Sequence, residues 1–111
     1  MTERPIALRN LAIANRVRIT RAADKRRIAA GELDAQGVLL QPPAHWEQAP
    51  VVDLLTAVPH VGVKKATTWT RQLRMLPTRK LVDLTMPERA ELSKRIALVS
   101  AKTRLRERTS A

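Results

Sequence analysis

The chain has no cysteine, no phenylalanine and no tyrosine among its 111 residues. Without thiols there is no disulfide framework, no thiolate nucleophile and no cysteine-based metal site, a usage expected of a reducing cytosol. Trp46 and Trp69 are the only aromatic side chains, so the core must be aliphatic. One small domain is expected, and a domain of this size buries only a modest share of its surface. No apolar run approaches the roughly 20 residues of a membrane span, and the N-terminus lacks the apolar segment of a secretory signal. Acid is scarce too: 10 Asp and Glu stand against 21 Lys and Arg, a formal net charge of +11.

The basic excess is unevenly placed. Residues 1–31 hold eight basic and two acidic side chains, residues 32–63 hold four acidic and no basic ones, and residues 64–111 hold thirteen basic and four acidic ones. Two basic regions flanking an acidic one, in a domain this small, imply a polyanionic partner, with nucleic acid favoured over a membrane surface. Catalytic sets are lacking. His45 and His60 are the only histidines and have no metal-ligand spacing, Asp53 and Asp83 have no paired acid, and no P-loop, nucleophile elbow or dinucleotide fingerprint occurs. Neither an enzyme nor a bound metal or cofactor is expected.

The periodicity is helical throughout, and the expected fold is all-α. Residues 5–33 read as one long helix with Pro5 in its first turn and no further Gly or Pro before Gly31. Projected at 3.6 residues per turn, Leu8, Leu11, Ala12, Ile19, Ala22, Ala23, Ala30 and Leu33 share a face. Arg18, Arg21 and Lys25 form a ridge on one flank; Arg9, Arg16 and Arg27 form a ridge on the other. Only Asp24 stands among these cations, so few i,i+4 ion pairs account for them. The ridges suit either a basic arm, docked at its base and facing a phosphate backbone, or a solvated charged face. In residues 34–50 Asp34 can cap a short turn through Val38 to Leu40, and Pro42 and Pro43 then forbid a regular helix. Trp46 is expected to plug the core from this loop, base stacking being its alternative.

A short apolar helix follows at 51–58, with Val51, Leu54, Leu55 and Val58 on one side. The next helix, 63–76, places Ala66, Trp69, Leu73 and Leu76 together, and Pro77 ends it. Residues 78–81 suggest a helical turn capped by Thr78. Thr85 and Glu88 form a capping box for the last helix, with Pro87 in its first turn and Leu92, Ile96 and Val99 as its buried stripe. The basic tail from Lys102 is expected to fray. The organisation reads as a basic helical arm (1–33), a Pro-containing linker (34–50), a small helical domain (51–101) and a basic tail (102–111).

Between the helices at 51–58 and 63–76 lies "PHVGVKK", residues 59–65. Pro59 stops one helix, and Gly62 is expected to supply a conformation that a residue with a Cβ would resist. A glycine turn feeding a helix N-terminus exposes unpaired amides at the positive end of the helix dipole, which is an anion site. Lys64 and Lys65 add charge there. The pattern fits a helix–hairpin–helix phosphate grip, or a plain connection with solvated lysines.

The order and spacing of these motifs over roughly 16–96 resemble those of the actinobacterial (mycobacterial-type) integration host factors. The resemblance is carried by "RITRAADKRRIAAG" (18–31), "VVDLLTAVPHVGVKKA" (51–66), "LPTRKL" (76–81) and "LTMPERAEL" (84–92). It implies a long N-terminal helical arm followed by a small helix–two-turns–helix domain. It also implies binding to double-stranded DNA with little sequence preference, nucleoid association within the cytoplasm, DNA bending, and support of phage site-specific recombination beside an integrase or recombinase. DNA contacts would fall on Arg16, Arg18, Arg21, Lys25 and Arg27 of the arm, on Val61, Gly62, Val63, Lys64 and Lys65 of the hairpin, and on Arg79 and Lys80. The chain departs from the family in having Val82 and Asp83 where more arginine is usual, and in its Pro-rich 38–50 where the family has a helical linker. A monomer is expected. A structural RNA-binding or ribosome-associated role is the alternative, and exposed tryptophan would favour it.

Overall fold

The computed structural model describes the backbone of residues 3–109 and the side chains of residues 8–103. The described residues form five α-helices: α1 (Glu3–Ala29), α2 (Ala35–Leu40), α3 (Val51–Leu55), α4 (Val63–Gln72) and α5 (Met86–Thr109), with 3₁₀ turns at Ala44–Trp46 and Leu81–Asp83. The all-α reading holds, and the molecule is elongated, 65 × 32 × 23 Å. Among the described residues no helix is long and apolar enough to cross a membrane.

Helix α1 stops where its sequence allows a left-handed residue. Gly31 has φ 77°, Glu32 N–H donates to Arg27 O at 2.8 Å and Gly31 N–H to Ile28 O at 3.1 Å, the paired bonds of a Schellman stop. Asp34 then caps α2, its carboxylate accepting from Gln36 N–H at 3.0 Å. The stretch 34–50, expected as a linker, is built into the body instead. Val38, Leu39, Trp46 and Ala49 are buried beside Val51, Leu54, Leu55, Ala66, Leu81, Leu92 and Ile96. Pro42 and Pro43 end α2 without removing its neighbours from the core, because two short helical pieces can each bury one face.

The capping box opens α5 as expected: Thr85 N–H donates to Glu88 Oε1 at 2.8 Å and Glu88 N–H to Thr85 Oγ1 at 3.3 Å. Leu92 and Ile96 are buried and Val99 packs against the core. Several expectations change: the helix expected over 5–33 ends at Ala29, and that expected over 51–58 ends at Leu55. Helix α4 ends at Gln72 because Arg74 turns left-handed (φ 58°), with Met75 N–H closing onto Thr70 O at 2.9 Å. Met75 is thereby buried, while Leu76 is 72% exposed rather than in the core. Residues 78–81 form no helical turn capped by Thr78. They run extended beside 49–51, with Val51 N–H donating to Arg79 O at 2.7 Å, Leu81 N–H to Ala49 O at 3.0 Å and an antiparallel bridge between Pro50 and Lys80. The backbone past Lys102 continues as helix to Thr109 rather than fraying; residues 110–111 and the side chains after 103 lie outside the described residues.

Buried Arg89 knits these pieces together. Its guanidinium donates to Leu39 O and Leu81 O at 2.8 Å each and to Leu84 O at 3.1 Å. It thus supplies donors to Leu39 O at the end of α2 and to Leu84 O, and gives Leu81 O a second donor beside Leu84 N–H at 3.2 Å.

Candidate nucleic-acid interface

The docked side of α1 is not the apolar side its sequence advertises. Asp24 and Ile28 are buried, Arg21 Nε donates to His45 O at 3.1 Å, and Lys25 pairs with Asp53 at 3.3 Å. At 100° per residue the buried pair Asp24 and Ile28 lies opposite Leu8, Ala12 and Ile19, while Lys25 sits beside the stripe at Leu11. Leu8, Leu11 and Ile19 are exposed. The anchor is polar. Asp24 Oδ2 meets His45 Nε2 at 2.5 Å and accepts the Trp46 indole N–H at 2.9 Å, while Arg27 stands 3.6 Å from Oδ1. Burial pushes the Asp24 carboxyl up. The hydrogen bonds from His45 and Trp46, then the charges of His45 and Arg27, outweigh it and hold the group below its ordinary value of 3.8.

The expected arm contacts therefore divide. Arg16 and Arg18 are exposed. Arg21 and Lys25 are half-exposed, each with one polar link to the body, and Arg27 is exposed with its loose partner Asp24. A surface pair such as Lys25–Asp53 is worth about 0–1 kcal/mol, so a phosphate can displace it.

The hairpin corrects the expectation for Gly62. Its backbone, φ −83° and ψ 176°, is extended, which any residue adopts. Nothing stands within 4 Å of where its Cβ would be. The left-handed residue of the turn is His60, φ 68°, two positions earlier. Gly62 is the N-cap of α4 without a side-chain cap, and the first bond of the ladder runs from Ala66 N–H to Gly62 O at 3.0 Å. The amides of Val63, Lys64 and Lys65 precede that bond and open outward at the positive end of the dipole. Lys64 and Lys65 are exposed. Lys65 Nζ reaches back to His60 O at 3.4 Å, and among the described residues neither lysine meets a carboxylate. Val61 is placed otherwise than expected. Its side chain is buried and its N–H is taken by Val58 O at 3.1 Å, so it braces the turn from inside.

The third patch is also split. Arg79 gives one nitrogen to Glu88 and another to Asp83 O, each at 2.7 Å. Glu88, pushed up by burial but held down more strongly by the Thr85 amide and hydroxyl and by Arg79, sits below its ordinary 4.5. Arg79 thus extends the capping box of α5. Lys80 is exposed. Arg89, missed as a structural residue, had no signal in its spacing. Only the carbonyls that folding gathers around it set it apart from the other arginines.

The arm base and the hairpin face each other. Ile28 and Gly31 on one side and Val58–His60 on the other line an open groove of about 830 Å³, closed behind by Ile96 and Ser100.

No protein-family model matches the chain, and no curated protein matches it. Among solved structures, that of sIHF, the Streptomyces integration host factor, bound to an 8-base-pair palindromic DNA is similar. The TM-score is 0.70 at 23% sequence identity, over 77% of this chain and 98% of that one. The likeness establishes a shared fold, the one that the order of the sequence motifs implies.

Proposed function

We propose that the chain binds double-stranded DNA by clamping phosphates, largely without reading sequence, as a non-enzymatic architectural protein of the nucleoid. The observation that carries this reading is the hairpin. A helix start without a side-chain cap, two exposed lysines and a glycine with open space before it together form a cradle for an external anion. The internal structure does not require that glycine, whereas close approach of a backbone or phosphate would. Arg16 and Arg18 hold a second phosphate run from the arm, with Arg21, Lys25 and Arg27 at its base. Lys80 adds an exposed charge, and Arg79 contributes by positioning. Bending of the duplex between the two grips follows from the resemblance to the integration host factors. By resemblance to the integration host factors, the protein would assist an integrase or recombinase complex, acting in the cytoplasm as a monomer.

The alternative RNA-binding reading has little to work with. Trp46 and Trp69 are both buried, at 0% and 9% exposed, and the chain has no Phe or Tyr, so no aromatic platform is offered to a splayed base. Salt-titrated binding to a DNA duplex and a sequence-matched RNA duplex tests the choice. If about six phosphates are neutralised, log K should fall against log[salt] with a slope near about −5 on DNA. A slope shallower than about −2, or preference for the RNA, would remove the phosphate-clamp reading.

A further inference from the structure

The outward stripe of α1 is unexplained by phosphate clamping. Leu8, Leu11 and Ile19 are 67%, 60% and 67% exposed, and Ala12 and Asn15 between them are exposed as well. Ile13, on the side of Asp24 and Ile28, is 61% exposed too, so apolar side chains stay in solvent here because the body docks only farther along the helix, through Asp24 and Ile28. The first side chain of the helix to hydrogen-bond with the body is Arg21, and no residue from Leu8 to Thr20 is buried. That is about 18 Å of helix at about 1.5 Å per residue.

The flanks of the stripe say what covers it. At helical spacing Arg9 and Arg16 border it on one side and Arg18 on the other, and no acidic residue occurs from Arg4 to Ala23. A second copy of the arm would bring these arginines together with no acid to pair them. A DNA major groove has the matching form. It is about 12 Å wide and admits a helix of about 10–12 Å, its walls are phosphate and its floor presents base edges. With the stripe on the floor, the arginines meet the two walls. Asn15 then faces base edges at the middle of the stripe. Its amide can pair with N6 and N7 of adenine, and Leu8, Ala12 and Ile19 can contact thymine methyl groups.

We propose that the free length of α1 enters the major groove and that Asn15 reads adenine there, adding an A·T bias to a grip that otherwise tolerates any sequence. The proposal rests on the DNA-binding reading above and makes the arm its specificity element. The hairpin and arm then divide the work: the hairpin fixes position on phosphates, and the arm carries what selectivity there is.

The test is fluorescence anisotropy with the full chain at one salt concentration. It uses three duplexes of equal length: one containing A·T runs, the same duplex with 7-deazaadenine (which lacks the N7 acceptor), and one of G·C only. The proteins are the wild type, Asn15→Ala and the double variant Lys64→Ala, Lys65→Ala. The wild type should favour the A·T duplex by roughly tenfold over G·C. Asn15→Ala and the deaza substitution should each remove most of that preference, and together no more than either alone. The lysine variant should weaken both natural duplexes equally and keep their ratio. Asn15 is exposed, so its loss leaves folding intact. Equal affinity of the wild type for all duplexes overturns the proposal and leaves the phosphate clamp standing. A preference that survives both changes overturns it in favour of groove shape, and Asn15→Ala weakening every duplex alike overturns it too. Salt-independent or absent binding removes the DNA reading and this proposal with it. On an RNA duplex, whose deep and narrow major groove excludes a helix, Asn15→Ala should change nothing; a loss there would also count against major-groove entry.

Discussion

Helices α1 and α5 both carry arginine, and they use it in opposite ways. Arg89 of α5 is buried and donates to the carbonyls of Leu39, Leu81 and Leu84. Arg16 and Arg18 of α1 stand in solvent. One arginine is a structural bolt and the other two are charge held ready for a partner. A formal charge of +11 therefore overstates what a polyanion meets. Arg79 and Arg89 are committed inside the body, and Lys25 and Arg27 share their charge with Asp53 and Asp24. The difference comes from geometry. Short helices leave carbonyls unpaired near α5 and nowhere along the free part of α1.

The comparison is easiest to break at Arg89. Replacing it with Ala should strand the buried carbonyls of Leu39 and Leu84 at about 1–3 kcal/mol each. A loss of about 3 kcal/mol and a fall in Tm of at least about 10 °C are expected by calorimetry or denaturant titration. A Tm within a degree or two of the wild type would place the body's cohesion elsewhere.

Asp24 comes next, since it joins the two regions. Asp24→Ala leaves the Trp46 indole N–H and His45 without their acceptor and should cost about 2 kcal/mol. The same contact sets an acid limit. The carboxyls of Asp24 and Glu88 are held below 3.8 and 4.5, so their stabilisation is complete above those values and is lost as pH falls through the lower folded ones. Tm should be level from neutral to about pH 5 and drop below about pH 4, with the drop smaller in the Asp24 variant. A variant as acid-sensitive as the wild type would deny Asp24 this role.

Arg16 and Arg18 sharpen the contrast from the other side. Their joint replacement by Ala should leave stability within about 0.5 kcal/mol and make the salt slope of DNA binding shallower by about 2. Destabilisation without a change in slope would make the arm arginines structural after all. Gly62→Ala is the finest probe. With extended backbone and open space around it, the change should shift stability by less than about 1 kcal/mol, and upward if at all. DNA affinity should nonetheless fall, because the added methyl meets the ligand. Unchanged affinity would mean that nothing approaches closely there.

Much of this was legible in the sequence where the cause is local. The capping box at Thr85 and Glu88, the stripe Leu92–Ile96–Val99 and the buried tryptophans all follow from neighbours a few residues apart, whereas the helix expected over 5–33 stops at Ala29. What misled depends on contacts that only folding makes. The apolar stripe of α1 suggests a docking face, but periodicity cannot say which side the body occupies, and a buried carboxylate with two partners, His45 and Trp46, chose the other side. Two prolines suggested a linker, although α2 and Trp46 on either side of them are core. The glycine of the hairpin suggested strain, whereas His60 carries the left-handed turn. The candidate site was readable as a region of basic residues around a turn, but the sequence could not separate Lys64 and Lys65, which are open, from Arg79, which braces a helix cap.

The central claim is that the start of α4 grips phosphate through Lys64 and Lys65. The most direct test is the salt dependence of binding to one DNA duplex for the wild type and for Lys64→Ala, Lys65→Ala, with Tm measured on both. The wild type should give a slope near about −5, and the variant should be shallower by about 2 and weaker on every sequence, with Tm unchanged. An equal slope and affinity in the two proteins would contradict the claim and leave the hairpin a simple connection between helices.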